Sequence, residues 1–118
     1  MSGIAPIIGF KDYLVVPLQR ELSDKEVDNL QRDILDRISQ RDIKGVIIDV
    51  SALDVIDSYM SYVFIETSLM LRAMGCYMAL CGIKPHVALT LAQIGISFKS
   101  IFTVSSLDKA IEVLSRSY

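Results

Sequence analysis

An Asp-Ser pair, Asp57-Ser58, stands directly ahead of a long apolar segment. A serine at the first turn of a helix meets unpaired backbone N–H groups and the positive end of the helix dipole. Phosphate is tolerated there, so the pair suits phosphorylation. The same residues also suit plain capping, with Asp57 accepting a backbone N–H. A phosphate adds about −1.5 to −2 charge beside Asp54 and Asp57, which repels a docked partner more readily than it unfolds the host. The only histidine, His86, offers a second chemistry, as general base for Ser58 in a small hydrolase. A nucleophile elbow frames its serine with small residues, as in G-x-S-x-G. Here Asp57 and Tyr59 flank it. No Gly-rich loop is spaced to cradle a nucleotide phosphate. Cys76 and Cys81 lie five apart in one expected strand, so they point to opposite faces and do not bridge. Without a further Cys or His cluster they make no metal site. No cofactor is expected.

These residues need elements to position them. Residues 4–10 and 13–18 are two short apolar runs, expected to form a hairpin. Ser23 or Asp24 is placed to cap a first helix, with Glu26 in its first turn. Val27, Leu30, Ile34 and Ile38 follow at helical spacing, and Gly45 stops the pattern. The β-branched run Val46-Ile47-Ile48-Asp49-Val50 reads as a strand buried on both faces. A polar stretch, 51–58, leads into a second helix over about 58–74. This helix is apolar almost all round, so part of it is expected to be covered by other protein chains. Its Met60, Phe64, Met70 and Met74 read as core. Gly75 suits its C-terminus. A strand over 77–80 is closed by Gly82, and Lys84-Pro85 opens a third helix that Gly95 ends. Residues 101–104 form the last strand. Ser106 caps the last helix, with Leu107, Ala110, Ile111 and Leu114 on one face. The order β-β-α-β-α-β-α-β-α predicts an α/β fold. Its sheet is mixed but mainly parallel, with an N-terminal antiparallel hairpin strand and flanking helices. Functional residues in such sheets gather beyond the carboxyl ends of the strands. The segments 54–58 and 82–86 both end there, after consecutive strands, and are expected to be neighbours.

The chain of 118 residues is 52% hydrophobic and 22% charged. That fits one domain, 1–118, with a sizeable core, and excludes a disordered chain. The net charge of −2 and the absence of a basic run make it a poor partner for nucleic acid. Mean hydropathy is +0.43. Yet Glu66, Arg72, Lys84 and Lys99 interrupt every apolar stretch before it reaches the ~20 residues of a membrane span. The N-terminus lacks the basic and cleavage features of a signal peptide. The expectation is a cytoplasmic protein with reduced thiols.

The run VIIDVSALDVIDSYM, Val46 to Met60, resembles the signature of the anti-sigma-factor antagonist (STAS) family: a buried strand, Asp-x-Ser, then Asp-Ser opening a helix. LCGIKPHVALTLAQIGI, Leu80 to Ile96, resembles the family's next strand, loop and helix, and the similarity covers essentially the whole chain. It implies a single STAS-type domain. The common antagonists carry Asp-Ser-Ser-Gly-Leu, where this chain has Asp57-Ser58-Tyr59-Met60-Ser61. Val-Ile-Asp-Ser followed by an aromatic residue, with Gly-Ile-x-Pro later, is similar to the small single-domain scaffold members of the bacterial stressosome.

The resemblance implies a non-catalytic scaffold that co-assembles with RsbR-type paralogues. It holds a serine kinase of the RsbT type until Ser58 is phosphorylated. An RsbX-type phosphatase resets the site, and the released kinase activates a stress pathway. The implied partner face is Asp54, Asp57, Ser58 and Tyr59 with Gly82, Ile83, Lys84 and Pro85. Two other readings stay open. One is an ordinary antagonist that binds an anti-sigma kinase. The other is the Ser58/His86 hydrolase.

Overall fold

The computed structural model describes residues 4–116. The expected hairpin is present, with β1 (Ile8–Phe10) antiparallel to β2 (Tyr13–Pro17) and Phe10 opposite Tyr13. The first strand is shorter than the apolar run that announced it. The ladder begins only at Ile8, two residues past Pro6, which has no N–H to contribute.

Ser23 caps α1 (Asp24–Gln40) in a capping box, accepting from the Glu26 amide while Glu26 accepts from the Ser23 amide. Arg20 adds a 2.6 Å ion pair to Glu26. These hydrogen bonds, led by that from Arg20, pull the Glu26 carboxyl down to about 2. Val27, Leu30, Ile34 and Ile38 are all buried, as their spacing predicts. The helix ends at Gln40, and Gly45 instead opens the next strand, β3 (Gly45–Asp49). The remaining elements are α2 (Ser58–Ala73), β4 (Tyr77–Cys81), α3 (Pro85–Gln93), β5 (Phe102–Val104) and α4 (Leu107–Ser115). The nine elements follow the predicted order.

The five strands lie in the order β1-β2-β3-β4-β5, parallel from β2 onward. Each crossover steps one strand in the same direction. Right-handed connections therefore put α1, α2 and α3 on one face of the sheet. The packing follows this rule. Val46, Ile48, Met78 and Leu80 face the three crossover helices, while Ile47, Ala79 and Cys81 lie with Ala110 and Leu114 of α4. A strand covered on both sides cannot alternate, which is why β3 reads as an unbroken apolar run.

Three side-chain expectations need correction. Met70, on the side of α2 turned away from the sheet, and Met74, just past the end of that helix, are exposed. Leu107 is also exposed, and Ala110 and Leu114 alone carry the buried face of α4. Cys76 precedes β4 rather than lying within it. The two thiols nevertheless sit on opposite faces of the sheet. Burial raises Cys76 to about 12 and Cys81 to about 11, so both are free but inert. Among the described residues no helix is long and apolar enough to cross a membrane.

Candidate functional site

The segment between β3 and α2 is less polar in place than in sequence. Leu53 and Ile56 are buried and peg it to the core. This leaves Asp54, Val55, Asp57 and Ser58 on the surface. The start of α2 is fixed by Asp57, whose extended backbone presents Oδ1 to the Met60 amide at 2.8 Å. The Ser61 amide reaches the Asp57 carbonyl at 3.0 Å, and its hydroxyl does so at 2.9 Å. The amides of Ser58 and Tyr59 are left without intrahelical partners. Ser58 is therefore the first helical residue, exposed at the positive end of α2. Its hydroxyl makes no hydrogen bond among the described residues.

The expected neighbour loop does lie alongside. The Val50 amide donates to the Cys81 carbonyl at 3.0 Å, which closes the ends of β3 and β4 together. Gly82 then takes φ +81°, and a Cβ there would meet the Ser51 Cβ at 2.7 Å. Only glycine permits both that backbone and that approach. Lys84 reaches across to Asp54, Nζ to Oδ1 at 2.7 Å. The hydrogen bond and charge of Lys84 hold the Asp54 carboxyl below the usual carboxylate range. His86 Nε2 lies 3.1 Å from the Asp54 carbonyl oxygen. Pro85 occupies the first turn of α3, exposed, while Gly82 and Ile83 are half-buried struts.

The two carboxylates expected to form one acidic patch thus have separate tasks. Asp54 is paired with Lys84, and Asp57 is a cap. His86 is directed at the Asp54 main chain, and among the described residues no hydrogen bond joins it to Ser58. One neighbour was not anticipated from the sequence. The Tyr59 hydroxyl donates to Asp28 Oδ1 of α1 at 2.7 Å. That bond, burial, and the charges of Asp28, Asp24 and Glu66 raise the Tyr59 pKa. Asp24 and Asp28 stand four apart and so share one face of α1, but nothing in the sequence aims that face at α2. Beyond the loops the outer side of α2 carries Tyr62, 60% exposed, and Leu69, 54% exposed.

The model of the STAS domain matches residues 6–110. The chain belongs to the STAS family. This STAS chain is 35% identical to a serine-to-glutamate variant of RsbS from Moorella thermoacetica, with 94% of each chain covered and a TM-score of 0.81. It is 33% identical to a chain in a structure of the stressosome, described there as a signal integration and transduction hub. That match covers 93% of this chain and 96% of the other, with a TM-score of 0.74. In Bacillus subtilis the RsbT co-antagonist protein RsbRA is 27% identical over 109 residues, which are 92% of this chain but 40% of RsbRA. The chain spans about two fifths of the length of the RsbR relatives it matches. The STAS fold expected from the Asp57-Ser58 signature, with its five-stranded mixed sheet and four helices, is thus present.

Proposed function

We propose that this STAS chain is a non-catalytic, phospho-switched scaffold of the RsbS type. Unmodified, it binds and sequesters a serine kinase of the RsbT type. It assembles with RsbR-type paralogues and further copies of itself in the cytoplasm. Phosphorylation of Ser58 releases the kinase to activate a stress pathway, and an RsbX-type phosphatase resets the site. The docking face is Asp54, Asp57, Ser58 and Tyr59 together with Gly82, Ile83, Lys84 and Pro85.

The observation that carries this reading is the state of Ser58. Its hydroxyl is exposed and unbonded among the described residues, at a helix N-terminus that favours added negative charge. The likeness to RsbS and to the stressosome chain supports the assembly side of the reading. The names of the RsbR relatives, as RsbT co-antagonists, support the kinase.

Intact-mass measurement after incubation with the cognate kinase and ATP tests it. One added phosphate is expected on the wild type and none on Ser58→Ala. An unmodified wild type, or a phosphate that persists in Ser58→Ala, would overturn the assignment.

A further inference from the structure

Lys84 is the only Lys or Arg in either loop of the site, 50–58 or 82–86. Its ammonium is held by Asp54 at 2.7 Å in an exposed ion pair, a kind that is weak and readily exchanged. Lys84 is also the N-cap residue of α3, but an ammonium has no acceptor to offer the helix amides, so its side chain is engaged by Asp54 instead. The link between the loops does not depend on that ion pair. His86 binds the main-chain carbonyl of Asp54 rather than its carboxylate, and the Val50 amide joins Cys81.

Ser58 stands four positions after Asp54 on the same segment. A phosphate on it carries about −1.5 to −2 charge and three acceptor oxygens, against one charge on a carboxylate. Asp54 and Asp57 lie on the loop itself, and Asp24 and Asp28 of α1 and Glu66 of α2 act on Tyr59. The Tyr59 phenol is bonded to Asp28, and His86 is turned to the Asp54 carbonyl. Within the two loops a dianion has one cation to draw on, Lys84, and that cation is paired with the weaker anion.

We propose that Lys84 reads the modification: its ammonium leaves the Asp54 carboxylate for the phosphate on Ser58. The modified face then differs from the unmodified one at two points. It bears the phosphate, and it bears an Asp54 carboxylate that has lost its counter-charge. The segment 82–86 is drawn toward the start of α2 by the exchange. A partner seated across both loops loses its fit on each side at once. This inference rests on Ser58 being the modified residue.

The test uses full-length protein with phosphoserine installed at position 58 during translation, so that no kinase is needed. Phosphorus NMR follows the second ionisation of the phosphate, which is near pH 6 when unperturbed. A nearby ammonium favours the dianion and lowers that pKa. The wild type is expected to titrate about half a unit or more below Lys84→Met. Lys84→Arg should restore the low value. Asp54→Asn removes a neighbouring anion and should lower it in any case, so the comparison that counts is Asp54→Asn with and without Lys84→Met, which should differ by a similar margin. Equal pKa values in wild type and Lys84→Met would overturn the exchange. If Lys84→Met proves misfolded by circular dichroism, Lys84→Gln decides, and a pKa equal to that of wild type there overturns it too. Both results are independent of the kinase assay. A kinase that ignores Ser58 sinks the site reading, whereas equal pKa values sink only the role of Lys84.

Discussion

Ser58 is a residue whose backbone is held while its hydroxyl is not. Its helical position is enforced by Asp57 on one side and by the buried Met60 and Ser61 on the other. A group added to the hydroxyl therefore meets solvent and unpaired amides, not packed atoms. Ser58→Asp tests this. An anion at the first turn of α2 is favourable by a few tenths of a kcal/mol up to about 1. One kcal/mol moves the melting midpoint of a domain this size by about 4 °C. The thermal midpoint of Ser58→Asp, followed by circular dichroism, is expected within a few degrees of wild type. A fall of 10 °C or more would mean that the added charge is buried, and the switch would then unfold its host rather than alter its surface.

At the scale of elements, two helix starts and one glycine build the site. Asp57 fixes where α2 begins, Lys84-Pro85 fixes α3, and Gly82 lets the second loop close on Ser51. Truncating Asp57 to Ala leaves the Met60 amide uncapped and should cost about 1 kcal/mol, within the ~0.5–2 found for such caps. Urea denaturation is expected to show that loss in the midpoint with an unchanged slope. Stability equal to wild type would mean that the 2.8 Å bond contributes nothing to placing Ser58. Asp57→Asn, which keeps a capping oxygen, should recover most of the loss. These elements were legible in the sequence because each has a local cause. Val27, Leu30, Ile34 and Ile38 repeat at the helical period, the Asp57 side chain caps, and the VIIDV run is β-branched. What could not be read depends on packing between distant segments. Tyr59 meets Asp28 only because both crossover helices fall on one face of the sheet. Leu53 and Ile56 look like parts of a polar loop until the core between the sheet and its crossover helices, which buries them, is in place. Met70 and Met74 look like core, since a nearly all-apolar helix gives no clue to which side is left uncovered.

At the scale of the whole molecule, one apolar surface has no purpose inside the chain. Tyr62, Glu66 and Leu69 follow at i, i+4 and i+7 along α2, and the two apolar members are among its most exposed side chains. Leaving such groups in water has no structural return, and a net charge of only −2 offers little repulsion between copies. A scaffold uses both features, since assembly buries the stripe and weak self-repulsion permits it. Sedimentation velocity is expected to show the wild type self-associating, or moving into larger species when an RsbR-type paralogue is added. The double variant Tyr62→Glu, Leu69→Glu places two further carboxylates beside Glu66. Neither side chain is buried, so its melting midpoint should stay within a few degrees of wild type. Its association should fall at least tenfold, since about 1.4 kcal/mol suffices for one decade and like charges confined to an interface exceed that. A wild type that stays monomeric at all concentrations and ignores the paralogue would sink the scaffold. A double variant that assembles as well as wild type would move the interface off α2, toward the exposed Ile8 and Phe10 of the β1 edge.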